Sequence, residues 1–125
     1  MSSILVVEDD TFLSSVISQE LSHAGHEVFT AFDGKQGFET AKVKKPDLIL
    51  MDIMMPNMNG YEALTLLKSD ESTKSIPVIV LSNVGQPEEK ERARAAGAAD
   101  FLVKVDYEPK EIINKIQQFL GHVAT

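Results

Sequence analysis

The chain contains no cysteine, which excludes disulfides, thiolate zinc sites and cysteine nucleophiles. No apolar run approaches the roughly 18 residues that a membrane-spanning helix needs. The Met1-Ser2-Ser3 opening does not read as a signal peptide. Cations are in short supply: 12 Lys and Arg face 19 Asp and Glu, for a formal net charge of -7. Duplex nucleic acid is gripped mainly by neutralising phosphates, so so acidic a chain is a poor candidate for binding it alone. Low-complexity tracts, linkers and longer internal repeats are also missing. Together these absences predict a soluble, cytoplasmic domain with no membrane contact and no direct nucleic-acid binding.

What the chain does have is enough apolar material for one core. Its 125 residues are 43% hydrophobic and 25% charged, which suits a single domain over 1–125 and excludes disorder. Short aliphatic runs alternate five times with amphipathic stretches. Ile4-Leu5-Val6-Val7 precedes a helix capped by Asp10, with Phe12, Leu13, Val16, Ile17 and Leu21 on its apolar face and Gly25 as its stop. A second strand is expected over 26–31. Asp33-Gly34 then opens a helix with Phe38 and Ala41 that ends before Pro46. Leu48 to Met51 is the third strand, and Asn59-Gly60 opens a helix carrying Tyr61, Leu64 and Leu67. After a polar loop over 69–75, Pro77 leads into Val78 to Leu81. Pro87 starts a helix running to Ala96, with Gly97 as its breaker. Phe101 to Val103 is a short fifth strand. Pro109 opens a last helix striped with Ile112, Ile113, Ile116, Phe119 and Leu120, and residues 121–125 read as a loose tail. Strands without alternation are buried on both faces, so the pattern predicts a doubly wound α/β domain with a parallel sheet.

Sites in such sheets form at the carboxyl ends of the strands. Glu8 and Asp9 follow the first strand, Asp52 the third, Ser82 the fourth and Lys104 the fifth. Each alone has an ordinary reading as a cap, a rim charge or a turn residue. As a set they require more, because two carboxylates about 4 Å apart repel by roughly 4 kcal/mol at an effective dielectric near 20. A divalent cation compensates that repulsion. Oxygen ligands with no His or Cys beside them suit Mg²⁺, with Mn²⁺ as a substitute. Magnesium commonly completes its shell with phosphate oxygens, so a phosphoryl group is the expected missing ligand. Lys104 would neutralise part of its charge and Ser82 would hydrogen-bond to it. Asp52 is the expected acceptor, since an aspartate can attack phosphorus to form an acyl phosphate.

These residues lie in runs that resemble a response regulator receiver domain of two-component signalling, of the chemotaxis-regulator kind. The runs are Ile4-Leu5-Val6-Val7-Glu8-Asp9-Asp10, Asp47 to Pro56 followed by Met58-Asn59-Gly60, Ile76 to Ser82, and Gly97 to Lys104. The resemblance covers essentially the whole chain. It implies a (βα)5 flavodoxin-like domain with strand order 2-1-3-4-5. It also implies Asp52 as phosphoacceptor, direct Mg²⁺ coordination by Asp9, and a more distant metal contact from Glu8 through water. The Met54 backbone carbonyl would complete the protein's ligands. Ser82 and Phe101 would be the switch residues and Lys104 the phosphate-binding lysine. The phosphodonor would be a histidine kinase or a histidine phosphotransfer protein, and the output partner is not legible. The chain would catalyse only its own phosphorylation and dephosphorylation. Ending just past the fifth helix, it reads most simply as a stand-alone receiver.

Three positions depart from the family pattern. Val105 stands where a proline usually follows the lysine, Asn83 is larger than the residue common after the switch hydroxyl, and Phe101 lacks a tyrosine's hydroxyl. Asp10 reads as a helix cap, the methionines at 51, 54, 55 and 58 as packing, and Phe101 equally as plain core. His23, His26 and His122 lie away from the strand ends. Two competing functions carry weaker support. A phosphohydrolase using an aspartyl phosphate would carry a second acid two residues on, where Met54 stands. A phosphorylation-independent interaction domain would have no need of the intact acidic set.

Overall fold

The computed structural model describes residues 2–53, 59–83, 85–104 and 108–124, with side chains as far as 120. Five strands and five helices alternate: β1 Ser3–Val7, α1 Thr11–His23, β2 Glu27–Ala31, α2 Gly34–Lys44, β3 Leu48–Asp52, α3 Gly60–Ser69, β4 Val78–Ser82, α4 Pro87–Ala95, β5 Asp100–Val103 and α5 Pro109–Ala124. The strands form one sheet in the order β2-β1-β3-β4-β5. All four pairings are parallel, as the short β-α alternation requires.

Side chains alternate across each strand, so neighbouring residues feed opposite layers. Leu5, Val7, Ile49, Met51, Val78 and Val80 join Ala41 of α2, Leu64 and Leu67 of α3 and Ala93 of α4 on one face. Ile4, Val6, Leu48, Leu50, Ile79 and Leu81 join Ile17 and Leu21 of α1 and Ile112, Ile113 and Ile116 of α5 on the other. β3 and β4 are buried along their whole length, whereas the edge strand β2 is exposed at Glu27 and Thr30. That difference explains why the central strands read as unbroken aliphatic runs.

Local capping agrees with the sequence. The Asp10 carboxylate accepts from the Phe12 and Leu13 amides, Asp33 caps α2 through Gln36 N, and Asn59 caps α3 through Glu62 N. Past α1, Gly25 adopts a φ of +96°, a left-handed turn that glycine takes without steric cost.

Two expectations need correction. Phe12 does not belong to the apolar face of α1 and is 77% exposed. The buried positions are Ser14, Ile17 and Leu21. At about 100° per residue Phe12 falls nearly opposite their centre. The small Ser14 faces the sheet in its place. The stretch from 121, expected as a loose tail, continues α5 as far as Ala124. Extending an existing helix forms one hydrogen bond per residue ordered, which a single Gly121 does not prevent.

Candidate functional site

The carboxyl edge of the sheet gathers the five expected side chains. Glu8 and Asp9 leave the end of β1, Asp52 closes β3, Ser82 closes β4 and Lys104 follows β5. Backbone hydrogen bonds hold these ends in register: Glu8 N donates to Ala31 O at 3.0 Å, and Ile53 N to Leu81 O at 3.0 Å. The β3–β4 register sets Asp52 opposite Leu81, and the β4–β5 register sets Ser82 opposite Val103. The start of α3 comes in close against β3. Gly60 N donates to Ile53 O at 2.9 Å, and a Cβ at position 60 would lie 2.6 Å from the Asp52 carbonyl oxygen. Only a glycine allows that approach.

One carboxylate oxygen from each of Glu8, Asp9 and Asp52 can be chosen so that all three lie within 4.8 Å of one another. Glu8, Asp52 and Ser82 are buried while Asp9 is exposed, which makes the cluster a pocket floor with one acidic lip. The Lys104 ammonium reaches into it, 2.9 Å from Glu8 Oε1 and 3.2 Å from Asp52 Oδ2. The other Glu8 oxygen accepts from the Asp10 amide at 3.1 Å.

The electrostatics follow from this crowding. Burial, and then the neighbouring Asp52, push the Glu8 carboxyl up to about 7, although Lys104 and the Asp10 N–H favour its charged form. Burial also works against the Lys104 charge. The Glu8 hydrogen bond and the Asp52 charge outweigh it and hold that ammonium above its ordinary value. The pocket therefore has more carboxylates than its single ammonium can neutralise. Glu8 Oε1 is buried against the Lys104 ammonium at 2.9 Å. An all-oxygen donor set of three carboxylates crowded around one ammonium fits a hard divalent cation.

Not every residue singled out in the sequence belongs here. Met54, whose carbonyl was expected to serve as a ligand, lies outside the described residues, as does Val105. Asp10 is engaged in capping α1. Phe101 is half-buried and packs against the core layer of α2, α3 and α4. One cluster escaped the sequence reading. The Tyr61 hydroxyl donates to the Glu89 carbonyl at 3.3 Å and to the Glu89 carboxylate, while the Arg92 guanidinium carbon lies 3.8 Å from the Tyr61 ring centroid. No linear motif joins those positions, which lie on different helices.

Known proteins resemble this chain along most of its length. The family model for the response regulator receiver domain matches residues 4–117. Protein PilH of Pseudomonas aeruginosa is 38% identical over 104 residues, covering 83% of this chain and 86% of PilH. The DNA-binding dual master transcriptional regulator RpaA of Synechocystis is 35% identical over 96% of this chain, but this chain spans only 49% of RpaA. The solved receiver domain of a Pseudomonas aeruginosa sensor histidine kinase, described with a magnesium ion coordinated in its active site cleft, superposes with a TM-score of 0.84. It is 30% identical and covers 96% of this chain and 98% of its own. With a match running from β1 into α5 and a five-stranded sheet of the same order, this chain belongs to the response regulator receiver family.

Proposed function

We propose that this protein is a phosphorylation-controlled switch whose acceptor is Asp52. The observation that carries the reading is the placement of Asp52: buried at the end of β3, 3.2 Å from the Lys104 ammonium and within reach of Glu8 and Asp9. In the step envisaged, an Asp52 carboxylate oxygen attacks the phosphorus of a phosphohistidine donor. An O–P bond forms, the P–N bond breaks, and its electron pair leaves with the imidazole nitrogen of a histidine kinase or phosphotransfer protein. Hydrolysis of the acyl phosphate by water returns the carboxylate, so the chain turns over nothing but its own phosphoryl group.

The protein's part is placement and charge stabilisation. Lys104 neutralises charge on the transferred oxygens while staying paired with the pocket carboxylates. Ser82, at the end of the neighbouring strand, supplies a hydroxyl that hydrogen-bonds to the phosphoryl group. Asp9, Asp52 and Glu8 would hold Mg²⁺, which supplies Lewis-acid neutralisation of the phosphoryl oxygens. Drawing Ser82 towards the phosphoryl group biases the segment leading into α4, and an output partner in the cytoplasm reads that surface. Packing changes at Phe101 accompany the shift.

The test is labelling by a small-molecule phosphodonor such as acetyl phosphate in the presence of Mg²⁺. Wild type takes up close to one acid-labile phosphoryl group, and Asp52→Asn takes up none. Equal labelling of the two proteins refutes the assignment.

A further inference from the structure

We propose that Tyr61 latches α4 to α3 and that this latch opposes phosphoryl acceptance at Asp52; the second half rests on the function proposed above. The weakness of α4 is the starting point. It reads Pro-Glu-Glu-Lys-Glu-Arg-Ala-Arg-Ala, and Ala93 is its one buried residue. A helix that buries so little apolar surface is held weakly by the core. It rests against β5 and, through Ala93, on the core, and it meets α3 through the Tyr61 side chain. Glu89 and Arg92, three residues apart and so on one face of α4, both engage that ring: Glu89 accepts from its hydroxyl and Arg92 stacks on its face. Tyr61 is itself 7% exposed and packed in the same core layer as Phe101. Burial and then Glu89 push its phenol up to about 12, so the hydroxyl remains a donor at any physiological pH. Position 101 carries no hydroxyl. The aromatic hydroxyl facing α4 is supplied instead from α3.

The latch ties together two segments that leave the candidate site. Tyr61 follows Gly60, which is wedged against the Asp52 carbonyl and bonded to Ile53 O at 2.9 Å. α4 follows β4, whose last residue is Ser82, after a short connection. Movement of Ser82 towards a phosphoryl group on Asp52 therefore carries α4 along or breaks its hold on Tyr61. A contact made in only one of two arrangements lowers the population of the other, and by linkage it weakens whatever ligand the other prefers.

The experiment compares wild type with Tyr61→Phe, which keeps the ring and removes the donor. Hydrogen exchange of residues 87–95 is followed by mass spectrometry, and beryllofluoride with Mg²⁺ is titrated calorimetrically as the phosphoryl mimic. Loss of a hydrogen bond to a charged acceptor should speed exchange in α4 about tenfold, with β1, β3 and α5 unchanged. Beryllofluoride should bind about threefold to tenfold more tightly. Glu89→Ala should add little to either effect once Tyr61 is Phe. Unchanged exchange in α4, faster exchange throughout the protein, or beryllofluoride binding that is unchanged or weaker each overturns the proposal. A wild type that binds no beryllofluoride overturns the phosphoryl reading and the coupling together, while the exchange comparison still decides whether Tyr61 holds α4.

Discussion

Replacing Glu8 by glutamine should remove a loss of stability that wild type suffers as pH rises. In the unfolded chain the Glu8 carboxyl titrates near 4.5, whereas in the folded pocket it is pushed up to about 7. Between those values the folded state binds more protons than the unfolded state, so the free energy of unfolding falls with increasing pH. Each tenfold change in proton affinity is worth about 1.4 kcal/mol, which sets the fall at up to about 3 kcal/mol, nearly complete by about pH 8. Urea denaturation at pH 5, 6, 7 and 8 without divalent cation measures it. With an m-value of about 1–3 kcal/mol/M, the wild-type midpoint should drop by about 1 M or more. Glu8→Gln keeps the hydrogen-bonding shape and loses the titration. The wild-type curve minus the variant curve therefore isolates this residue from every group that the two proteins share. Adding Mg²⁺ at pH 8 should restore stability in wild type more than in the variant, because a cation favours the ionised carboxylates. A difference curve that is flat, or that rises from pH 5 to pH 8, refutes the reasoning.

Three further substitutions test the packing. Gly60→Ala places a Cβ 2.6 Å from the Asp52 carbonyl and from the Ile53 Cα, so it should cost about 1–3 kcal/mol in urea and slow phosphoryl uptake by displacing Asp52. Phe12→Ser should leave the free energy of unfolding within about 0.5 kcal/mol of wild type, because the ring is 77% exposed. Ile17→Ala on the opposite side of α1 should cost about 2–5 kcal/mol.

The elements were legible because several signals coincide in each. Asp10, Asp33 and Asn59 stand one residue before a helix and do cap it. The bare aliphatic runs of β3 and β4 are the strands buried on both faces. Glu8, Asp9, Asp52, Ser82 and Lys104 could be placed at one rim because strand ends are fixed points in a parallel sheet. Phe12 is hydrophobic but stands at the wrong angle on α1 for the core, and the serine at position 14 occupies the angle that faces the sheet. The extension of α5 past Gly121 was hidden because a glycine is only a weak stop when a helix is already formed. Tyr61, Glu89 and Arg92 were invisible as a unit because contact between helices depends on how α3 and α4 lie side by side, and no local spacing encodes that.

The ion pair between Glu8 and Lys104 joins the first strand–helix junction to the last. Such a contact forms only after every intervening strand has found its place, so it belongs late in the folding of a chain rich in distant pairings. During synthesis all three carboxylates leave the ribosome well before the lysine does. The pocket is therefore a record of completion: a nascent or truncated chain that stops short of β5 has the acidic residues but not the cation that lets them sit together.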